Sequence, residues 1–350
     1  MKSIFVTGGA GFIGTHTCLV LLEKGYVVFI LDSFINSCEK SVNKISDILK
    51  DQDIDPRGMI HLCKGDINNL DDIEKVFQLS FKLGKQIGSV IHFAGLKSVY
   101  DSVINPIEYW DNNVGGTINL LKTMDKYNCK NIVFSSSASI YKYQPNKSLN
   151  ENDICAPINP YGNTKLTVET ILKDLYNSQP FQWRIVSLRY FNPVGAHQSA
   201  LIGENPLGNP NNIYPRITQT AIGKLKEIKI YGSDWPTHDG TGVRDYIHVV
   251  DLAEAHLLAL EFILRNKPQI LNLNIGTGKG TSVLELINTF QEVNNVKIPY
   301  SFAERRKGDT AFVVADNSLS KSILNWEPKR NIEEICRSGW KWQLNNPEGY

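Results

Sequence analysis

The segment Gly8-Gly9-Ala10-Gly11-Phe12-Ile13-Gly14 decides the fold of this chain. It follows an apolar, β-branched run at Ile4–Thr7 and precedes a helical pattern that ends near Gly25. Glycines at the first, fourth and seventh positions permit a tight turn, close approach of backbone N–H groups to a diphosphate, and close packing of the helix on the strand. A diphosphate bound there lies at the positive end of the helix dipole. The segment therefore predicts a dinucleotide-binding unit at the start of the chain.

Strand and helix patterns alternate from this unit through the first 190 residues. Further short apolar runs predict strands at 27–32, 61–66, 89–94, 131–136 and 184–189. Most of these runs are apolar on both faces, which is typical of parallel strands covered by helices on each side. Repeated strand–helix alternation implies right-handed crossovers. We therefore predict an α/β fold built on a Rossmann-type, doubly wound parallel sheet.

The composition of the sequence and the length of its predicted elements change after residue 190. Residues 203–215 contain three prolines, two glycines and four asparagines, a composition typical of loops, and shorter predicted elements follow them. We interpret residues 1–190 as the cofactor-binding Rossmann domain. Residues 191–350 then form a smaller α/β domain that binds the substrate, and we expect some of its elements to return to the main sheet.

Composition and charge argue against several functional classes. The 350 residues carry a formal net charge of +1, so charge points neither to nucleic acid nor to an anionic membrane. No run approaches the roughly 18 apolar residues of a transmembrane helix. The six cysteines form no C-x-x-C pair, which predicts neither a disulfide framework nor a metal site. With no signal-peptide pattern at the N-terminus, we expect a reduced, cytoplasmic location.

Asp32 indicates which dinucleotide binds. It closes the second predicted strand, 18 residues after Gly14. A carboxylate at this place accepts hydrogen bonds from both hydroxyls of the adenosine ribose and repels a 2′-phosphate. No arginine or lysine occurs from Asp32 to Cys38. The sequence therefore predicts NAD rather than NADP as the cofactor.

Two further strand ends belong to the same predicted edge of the sheet. Asp66 ends the third predicted strand, and its carboxylate either accepts from the adenine amino group or only caps the strand. Lys97 follows the fourth strand, where its ammonium group can reach the cofactor ribose or phosphates. His92, inside that apolar strand, is interpreted as a core histidine with satisfied hydrogen bonds.

The segment Asn159-Pro160-Tyr161-Gly162-Asn163-Thr164-Lys165 predicts the start of a helix, with an asparagine N-cap and a proline at the first position. Tyr161 and Lys165 then lie one turn apart on one face. A tyrosine acting as a general base near pH 7 needs its pKa lowered by about three units, and a nearby ammonium group together with the positive nicotinamide ring favours the phenolate. Alone, such a pair is more often structural. Ser137, at the end of the fifth predicted strand, adds a hydroxyl that can hold a substrate hydroxyl.

These residues resemble the extended short-chain dehydrogenase/reductase family, and five longer strings narrow the resemblance to its UDP-glucose (UDP-galactose) 4-epimerases. The strings are HFAGLK at 92–97, YWDNNV at 109–114, LRYFNPVGAH at 188–197, GTGVRDYIH at 240–248 and RRKGD at 305–309. The likeness covers the whole chain, and the strings are far more specific than the glycine turn. The resemblance implies an isomerase that acts on nucleotide sugars.

The resemblance also implies a role for each matching residue. The implied catalytic residues are Ser137, Tyr161 and Lys165. The implied NAD contacts are Gly8, Gly11, Phe12, Ile13, Gly14, Asp32, Asn36, Asp66, Ile67, Phe93, Ala94, Lys97, Asn112, Ser137, Tyr161, Lys165 and Phe191. The implied UDP-sugar contacts are Lys97, Ser137, Tyr161, Asn192, Asn212, Tyr231, Arg244, Arg306, Asp309 and Val313. The chemistry agrees, since Arg244 and Arg306 can donate paired hydrogen bonds to a diphosphate. No metal is implied.

The implied reaction interconverts UDP-glucose and UDP-galactose without net redox change. Tyr161 takes the proton from the sugar O4 while a hydride moves from C4 to NAD. The 4-keto sugar, held through its diphosphate, then turns its other face to the reduced cofactor and takes the hydride back. Such a rotation requires strong contacts to UDP and weak contacts to the hexose. We expect NAD to stay bound through turnover, and helices at 105–127 and 164–176 to form the interface of a homodimer.

Three other functions share part of this pattern. A nucleotide-sugar 4,6-dehydratase has the same fold and cofactor, but it needs a Thr-Asp-Glu run where this chain has Ser137-Ala138-Ser139. A uronate epimerase or decarboxylase needs a cation for the C6 carboxylate, which the sequence does not exclude. A non-catalytic NAD-sensing scaffold usually lacks the tyrosine–lysine pair that is present here.

Val313 bears on the breadth of substrates. In the epimerases that the chain resembles, the residue at this place faces the sugar C2 substituent, and a tyrosine there leaves room only for a hydroxyl. Valine is smaller by most of an aromatic ring, so we expect UDP-N-acetylglucosamine and UDP-N-acetylgalactosamine to be interconverted as well. The alternative is that Lys142, Tyr100 or Phe312 fills the space.

Overall fold

Parallel β-strands form the centre of the computed structural model, which describes residues 2–145, 147–208, 210–306 and 308–350. In chain order the strands are β1 (Ser3–Thr7), β2 (Val27–Asp32), β3 (Ile60–Lys64), β4 (Ile87–His92), β5 (Asn131–Ser137), β6 (Arg184–Tyr190), β7 (Asn192–Val194), β8 (Ile228–Tyr231), β9 (Val243–Arg244), β10 (Tyr246–His248), β11 (Gln269–Ile275), β12 (Thr281–Ser282), β13 (Tyr300–Ala303) and β14 (Phe312–Val313).

Helices connect these strands and cover the sheet. In chain order they are α1 (Phe12–Glu23), α2 (Glu39–Asp51), α3 (Leu70–Lys82), α4 (Val99–Ile104), α5 (Pro106–Trp110), α6 (Gly116–Lys126), α7 (Pro160–Ser178), α8 (Ile213–Ala221), α9 (Val249–Arg265), α10 (Val283–Asn294), α11 (Ser318–Leu324) and α12 (Ile332–Asn345). A π-helical turn, Asp111–Gly115, separates α5 from α6. No helix in the described ranges is long and apolar enough to cross a bilayer.

The main sheet has seven strands in the order β11-β6-β5-β4-β1-β2-β3, and each neighbouring pair is parallel. The chain leaves β3 and re-enters the sheet on the other side of β1, at β4. The strand order therefore reverses between β1 and β4, and such a reversal opens a crevice at the carboxyl ends of the strands. The predicted Rossmann-type, doubly wound α/β fold is confirmed, and its ligand crevice lies at this reversal.

Alternating residues of β1 show how the two faces are buried. Ile4 and Val6 pack in the cluster that contains α1, α2 and α9, whereas Phe5 packs in the cluster that contains α3, α6 and α7. All three side chains are at most 1% exposed. Because both faces are covered, the strand can be apolar at every position. This is the physical basis of the uninterrupted apolar runs in the sequence.

The later residues build a second core beside the main sheet. Residues of α8, β8, α10 and α12 form a separate apolar cluster. Three small sheets surround it, with β10 on β7, β13 on β8, and β9 between β12 and β14. However, β11 pairs with β6 in the main sheet, and α9 covers one face of that sheet. The later half of the chain is thus anchored on the earlier half.

Element boundaries depart from the sequence expectation by a few residues. The third strand, expected over 61–66, ends at Lys64, and Asp66 lies in the turn beyond it. There the Asp66 N–H donates to the Asp72 carboxylate at 3.1 Å instead of to a strand neighbour. Lys307, part of the string at 305–309, lies outside the described residues.

The buried face of α7 offers a test of this packing. Leu172 is fully buried in the cluster under α7, while Lys173 beside it is exposed. Leu172→Ala should lower the free energy of unfolding by about 2–5 kcal/mol, because it leaves a cavity in the core. Lys173→Ala should change it by less than about 0.5 kcal/mol. Denaturant unfolding of both variants measures this, and equal effects would contradict the assigned face.

Candidate functional site

A cleft opens at the carboxyl ends of the main-sheet strands, where the strand order reverses. Fifteen of the residues that the sequence assigned to cofactor contacts line it: Gly8, Gly11, Phe12, Ile13, Gly14, Asp32, Asn36, Asp66, Ile67, Phe93, Ala94, Lys97, Asn112, Tyr161 and Lys165. Ser137 and Phe191 are buried just behind this lining. The structure thus gathers the predicted set from six separate segments of the chain.

The glycine turn leaves the start of α1 open to an anion. Gly8 has a positive φ of 69°, and a Cβ there would stand 2.7 Å from the backbone nitrogen of Ala94. At Gly14 a Cβ would stand 2.3 Å from the Gly8 carbonyl oxygen. Gly11 is the N-cap of α1, and no side chain caps the helix there. Free N–H groups and the helix dipole therefore suit a dinucleotide diphosphate.

Asp32 is held rigidly at the far end of the cleft. One carboxylate oxygen accepts from the backbone N–H of Ala10 at 2.8 Å. The other accepts from the Phe34 N–H at 3.0 Å and from the Ser37 hydroxyl at 2.6 Å. The side chain is 7% exposed, so its remaining lone pairs face the cleft from a fixed position. Such a carboxylate fits the diol of an adenosine ribose.

Tyr161 and Lys165 lie side by side on the first turns of α7. The Asn159 side chain caps the helix by accepting from the Gly162 N–H at 2.8 Å, as the sequence predicts. The Lys165 ammonium nitrogen lies 5.9 Å from the Tyr161 ring centroid and donates to the Ser135 carbonyl at 2.9 Å. Ser137 lies within hydrogen-bonding reach of the Tyr161 hydroxyl. The tyrosine, lysine and serine therefore meet in one place.

The protein's own groups leave the pKa of Tyr161 above its ordinary value. Burial raises the pKa of Tyr161, and the hydrogen bond from Ser137 only opposes that rise. Burial also lowers the pKa of Lys165 to about 8. Desolvation therefore dominates at both side chains, and the Lys165 ammonium group is turned toward the Ser135 carbonyl. Further positive charge beside the phenol is needed to favour the phenolate.

A buried hydrogen-bond network behind α7 was not predicted from the sequence. Glu169, one turn beyond Lys165, accepts from Arg189 at 2.6 and 3.0 Å and from the Ser136 hydroxyl at 2.5 Å. The Arg189 guanidinium also donates to the Tyr141 hydroxyl at 3.0 Å. Both charged side chains are 5% exposed. The network ties α7 to β5 and β6 next to Ser137, and the spacing of Glu169 from Lys165 was the available signal.

Asn113 was missed in the same way. It sits in the π-helical turn beside the predicted Asn112 and is 3% exposed. Its amide oxygen accepts from the Leu96 N–H at 2.7 Å, and its amide nitrogen donates to Thr164 at 3.0 Å. The residue therefore fixes the loop after β4 against the catalytic turn of α7.

His92 is a core histidine, as interpreted from the sequence. Its Nδ1 shares a hydrogen bond with Thr7 at 2.7 Å and its Nε2 one with Thr117 at 2.9 Å. The ring is 1% exposed, and burial lowers its pKa to about 3. A neutral, fully bonded imidazole inside the sheet holds β1, β4 and α6 together and leaves no nitrogen for catalysis.

A second group of predicted residues lies on the small sheets and on the loop between β13 and β14. The Arg306 guanidinium stands over the Tyr231 ring, 4.6 Å from its centroid, and donates to the Asp309 carboxylate at 3.0 Å. Arg244 on β9 is the register partner of Val313 on β14. Burial lowers the pKa of Arg244. An aromatic ring, two guanidinium groups and a carboxylate are a donor set that suits the uracil, diphosphate and ribose of a uridine diphosphate.

The remaining predicted residues connect the two groups. Asn192 begins β7, and Asn212 is the N-cap residue of α8. Phe191 is buried in an apolar cluster with Ala138, the residue that follows β5, and Val313 packs against the same cluster. A side chain on β14 therefore reaches the neighbourhood of the catalytic serine strand.

The chain is similar to proteins of known activity. A sequence model of the family described as GDP-mannose 4,6 dehydratase matches residues 5–339. A UDP-glucose 4-epimerase of Bacillus subtilis is 46% identical over 99% of this chain and 98% of the relative. A bifunctional UDP-glucose 4-epimerase and UDP-xylose 4-epimerase of Pisum sativum is also 46% identical, over 100% of this chain and 97% of the relative.

A solved structure carries the likeness into three dimensions. The UDP-glucose 4-epimerase from Bifidobacterium longum, in complex with NAD+ and UDP, superposes with a TM-score of 0.92 at 42% identity. The superposition covers 100% of both chains. The two groups of residues described above therefore stand in a fold that binds both molecules in a close relative.

The fixed carboxylate of Asp32 yields a prediction about cofactor choice. Asp32→Ala should weaken the retention of NAD on the purified protein and reduce the discrimination against NADP, because it removes both the ribose acceptor and the charge that repels a 2′-phosphate. Release of the dinucleotide by denaturation, followed by chromatography, identifies what is bound. NADP on the unmodified protein would contradict the assignment.

Proposed function

Since the chain belongs to the UDP-glucose 4-epimerases, within the extended short-chain dehydrogenase/reductase family, we infer that it interconverts UDP-glucose and UDP-galactose with NAD as its cofactor. One observation in this chain's own structure supports the inferred reaction. Tyr161, Lys165 and Ser137 stand together at the end of the cleft that the glycine turn and Asp32 line. Fold, cofactor groups and acid–base groups thus converge on one reaction.

In the proposed mechanism the side chains around C4 of the sugar hold and move one proton. NAD, when bound, supplies the redox chemistry, taking a hydride from C4 and returning it. Ser137 positions the O4 hydroxyl, and the Tyr161 phenolate oxygen accepts its proton and later gives it back. Burial of Tyr161 makes its charged form dependent on neighbouring positive charge, so deprotonation is coupled to the state of Lys165 and of the cofactor.

The substrate is held by its UDP end in this proposal. Arg244 and Arg306 donate to the diphosphate, Tyr231 packs on the uracil, and Asp309 accepts from the ribose. In the structure Arg306 already pairs with Asp309 and covers Tyr231, so UDP must exchange these contacts for its own. Strong contacts at this end leave the hexose free to turn between its two faces, as an epimerisation at C4 requires.

The catalytic strand argues against a dehydratase, although the matching family model carries that description. Elimination of water requires an acid and a base beside the sugar, and the residues after β5 are Ser137, Ala138 and Ser139. None of these three can supply a carboxyl group. We therefore assign this chain to the epimerases within the family.

We propose that the two parts of the chain bind different molecules and that the protein forms a homodimer. Residues 1–190 bind NAD and residues 191–350 bind the UDP-sugar, with β11 returning to the main sheet.

Val103, Ile104 and Ile107 on α4 and α5 are 56–77% exposed, and α7 packs beside both helices. An apolar surface of this kind suits a second copy of the chain. The six free cysteines suit a reducing cytoplasm.

Replacing the proposed base tests the mechanism. Tyr161→Phe should lower the conversion of UDP-galactose to UDP-glucose by two or more orders of magnitude, the scale of general acid–base catalysis, while NAD remains bound. Turnover and the bound cofactor are measured on the same preparation. Activity within threefold of the unmodified enzyme would remove Tyr161 from this role.

Val313 yields a prediction about breadth, since we propose that the N-acetylated UDP-hexoses are substrates too. Of the three residues in the alternative, Tyr100 is 67% exposed and Lys142 is also exposed, whereas Phe312 is half-buried beside Val313 on β14, so the alternative depends on Phe312. Val313→Tyr should lower kcat/KM for UDP-N-acetylgalactosamine at least tenfold while sparing UDP-galactose, because an added ring overpacks the acetamide. An unmodified enzyme inert toward the acetylated sugar would defeat the idea.

A further inference from the structure

Glu204 is a carboxylate beside Lys97 of the cleft lining, and it has no role in the proposed reaction or in cofactor binding. Its side chain is 9% exposed. Its carboxylate lies 3.9 Å from the Lys97 ammonium nitrogen and 3.4 Å from the Asn212 amide nitrogen, which donates to it. Lys97 lines the cofactor cleft, and Asn212 belongs to the proposed sugar contacts. Glu204 therefore stands where the two halves of the site meet.

The loop that carries Glu204 is locked in place. Gly203 donates to the Tyr350 hydroxyl at 3.0 Å, and that hydroxyl donates back to the Gly203 carbonyl at 3.2 Å. A Cβ at Gly203 would stand 2.5 Å from the Trp342 indole. Further along the loop, Asn211 donates to Ser98 at 3.4 Å, next to Lys97. These contacts give the Glu204 carboxylate a fixed position relative to the Lys97 ammonium group.

The charge arrangement has a consequence for the substrate. A sugar that carries a C6 carboxylate needs a cation with unused charge in the site. At this end of the cleft the ammonium group of Lys97, whose side chain is 60% exposed, is already offset by the 9% exposed Glu204, and a second carboxylate would face the first. A neutral hexose or pentose meets no such repulsion, since it adds no charge.

We propose that Glu204 is a specificity-determining residue that excludes UDP-uronates from the sugar site by offsetting the charge of Lys97. The proposal rests on the substrate position set out under the proposed function. Its effect is to keep the enzyme on neutral UDP-sugars although the arginines that hold the diphosphate would accept either kind. Glu204 acts by repulsion against the wrong substrate, with Lys97 and Asn212 holding it in place.

The surroundings of Glu204 set a pH dependence. Burial raises the pKa of Glu204, while Lys97 and Asn212 oppose that rise. The other titratable group facing it, Tyr214 on α8, has its pKa raised well above 10 by burial and stays neutral. Below the pKa of Glu204 the carboxyl is protonated and the repulsion disappears. Exclusion of a uronate should therefore strengthen as pH rises through that pKa.

The test compares two ligands on the NAD-loaded enzyme by titration calorimetry. Dissociation constants are measured for UDP-glucose and UDP-glucuronate with the unmodified enzyme, Glu204→Gln, Glu204→Asp, and the control Glu333→Gln, whose exposed side chain pairs with Arg337 on α12. Glu204→Gln should lower the ratio of the UDP-glucuronate constant to the UDP-glucose constant about tenfold, a modest figure for one unit charge at close range. Glu204→Asp and Glu333→Gln should keep the ratio within about threefold.

The pH series supplies a readout that loss of structure does not mimic. In the unmodified enzyme the ratio should rise with pH, and in Glu204→Gln it should be flat. A ratio unchanged by Glu204→Gln, or a flat ratio in the unmodified enzyme, overturns the proposal. If Glu204→Gln fails to retain NAD, the pH series of the unmodified enzyme and Glu204→Asp decides alone. Failure to convert UDP-galactose would instead overturn the proposed function and is scored in a separate assay.

Discussion

The close packing of the glycine turn on the ends of β1 and β4 is the constraint on which the site depends. Gly14 lies against the Gly8 carbonyl and Gly8 against the backbone of Ala94, with no room for a side chain at either glycine. This contact sets the start of α1 at the point where the strand order reverses. The diphosphate, Asp32 and the catalytic turn of α7 are all placed relative to that point.

Burial governs the chemistry at the other end of the cleft. Desolvation raises the pKa of Tyr161 and lowers that of Lys165 to about 8, so burial disfavours the charged form of each side chain. Behind them, Glu169 holds α7 to Ser136 on β5, the strand that ends at Ser137, and to Arg189 on β6. In the proposed mechanism substrate and cofactor complete the electrostatic environment that Tyr161 needs, and the proposed UDP contacts lie on and beside a separate set of small sheets.

Local patterns in the sequence predict the strands, the glycine turn, the helix cap at Asn159 and the Tyr161–Lys165 pair, because each depends on neighbours within a few residues. They do not predict Asn113, Glu169 or Glu204, whose partners lie 17–51, 20–33 and 8–107 residues away. The size of the desolvation at Tyr161 and Lys165 is likewise a property of the folded chain and not of a local pattern. The ends of some strands differ from the sequence prediction because the residues beyond them bond to side chains. The Asp66 N–H, for example, donates to the Asp72 carboxylate.

The proposed mechanism requires that the enzyme oxidises and then reduces the same carbon of the sugar while NAD stays bound to the protein. Incubating the purified enzyme with UDP-galactose deuterated at C4, with no added NAD, tests it most directly. The account predicts UDP-glucose that keeps the deuterium at C4, because the atom moves to the bound cofactor and back without meeting water. Loss of the deuterium to solvent, or a strict requirement for added NAD, would contradict it.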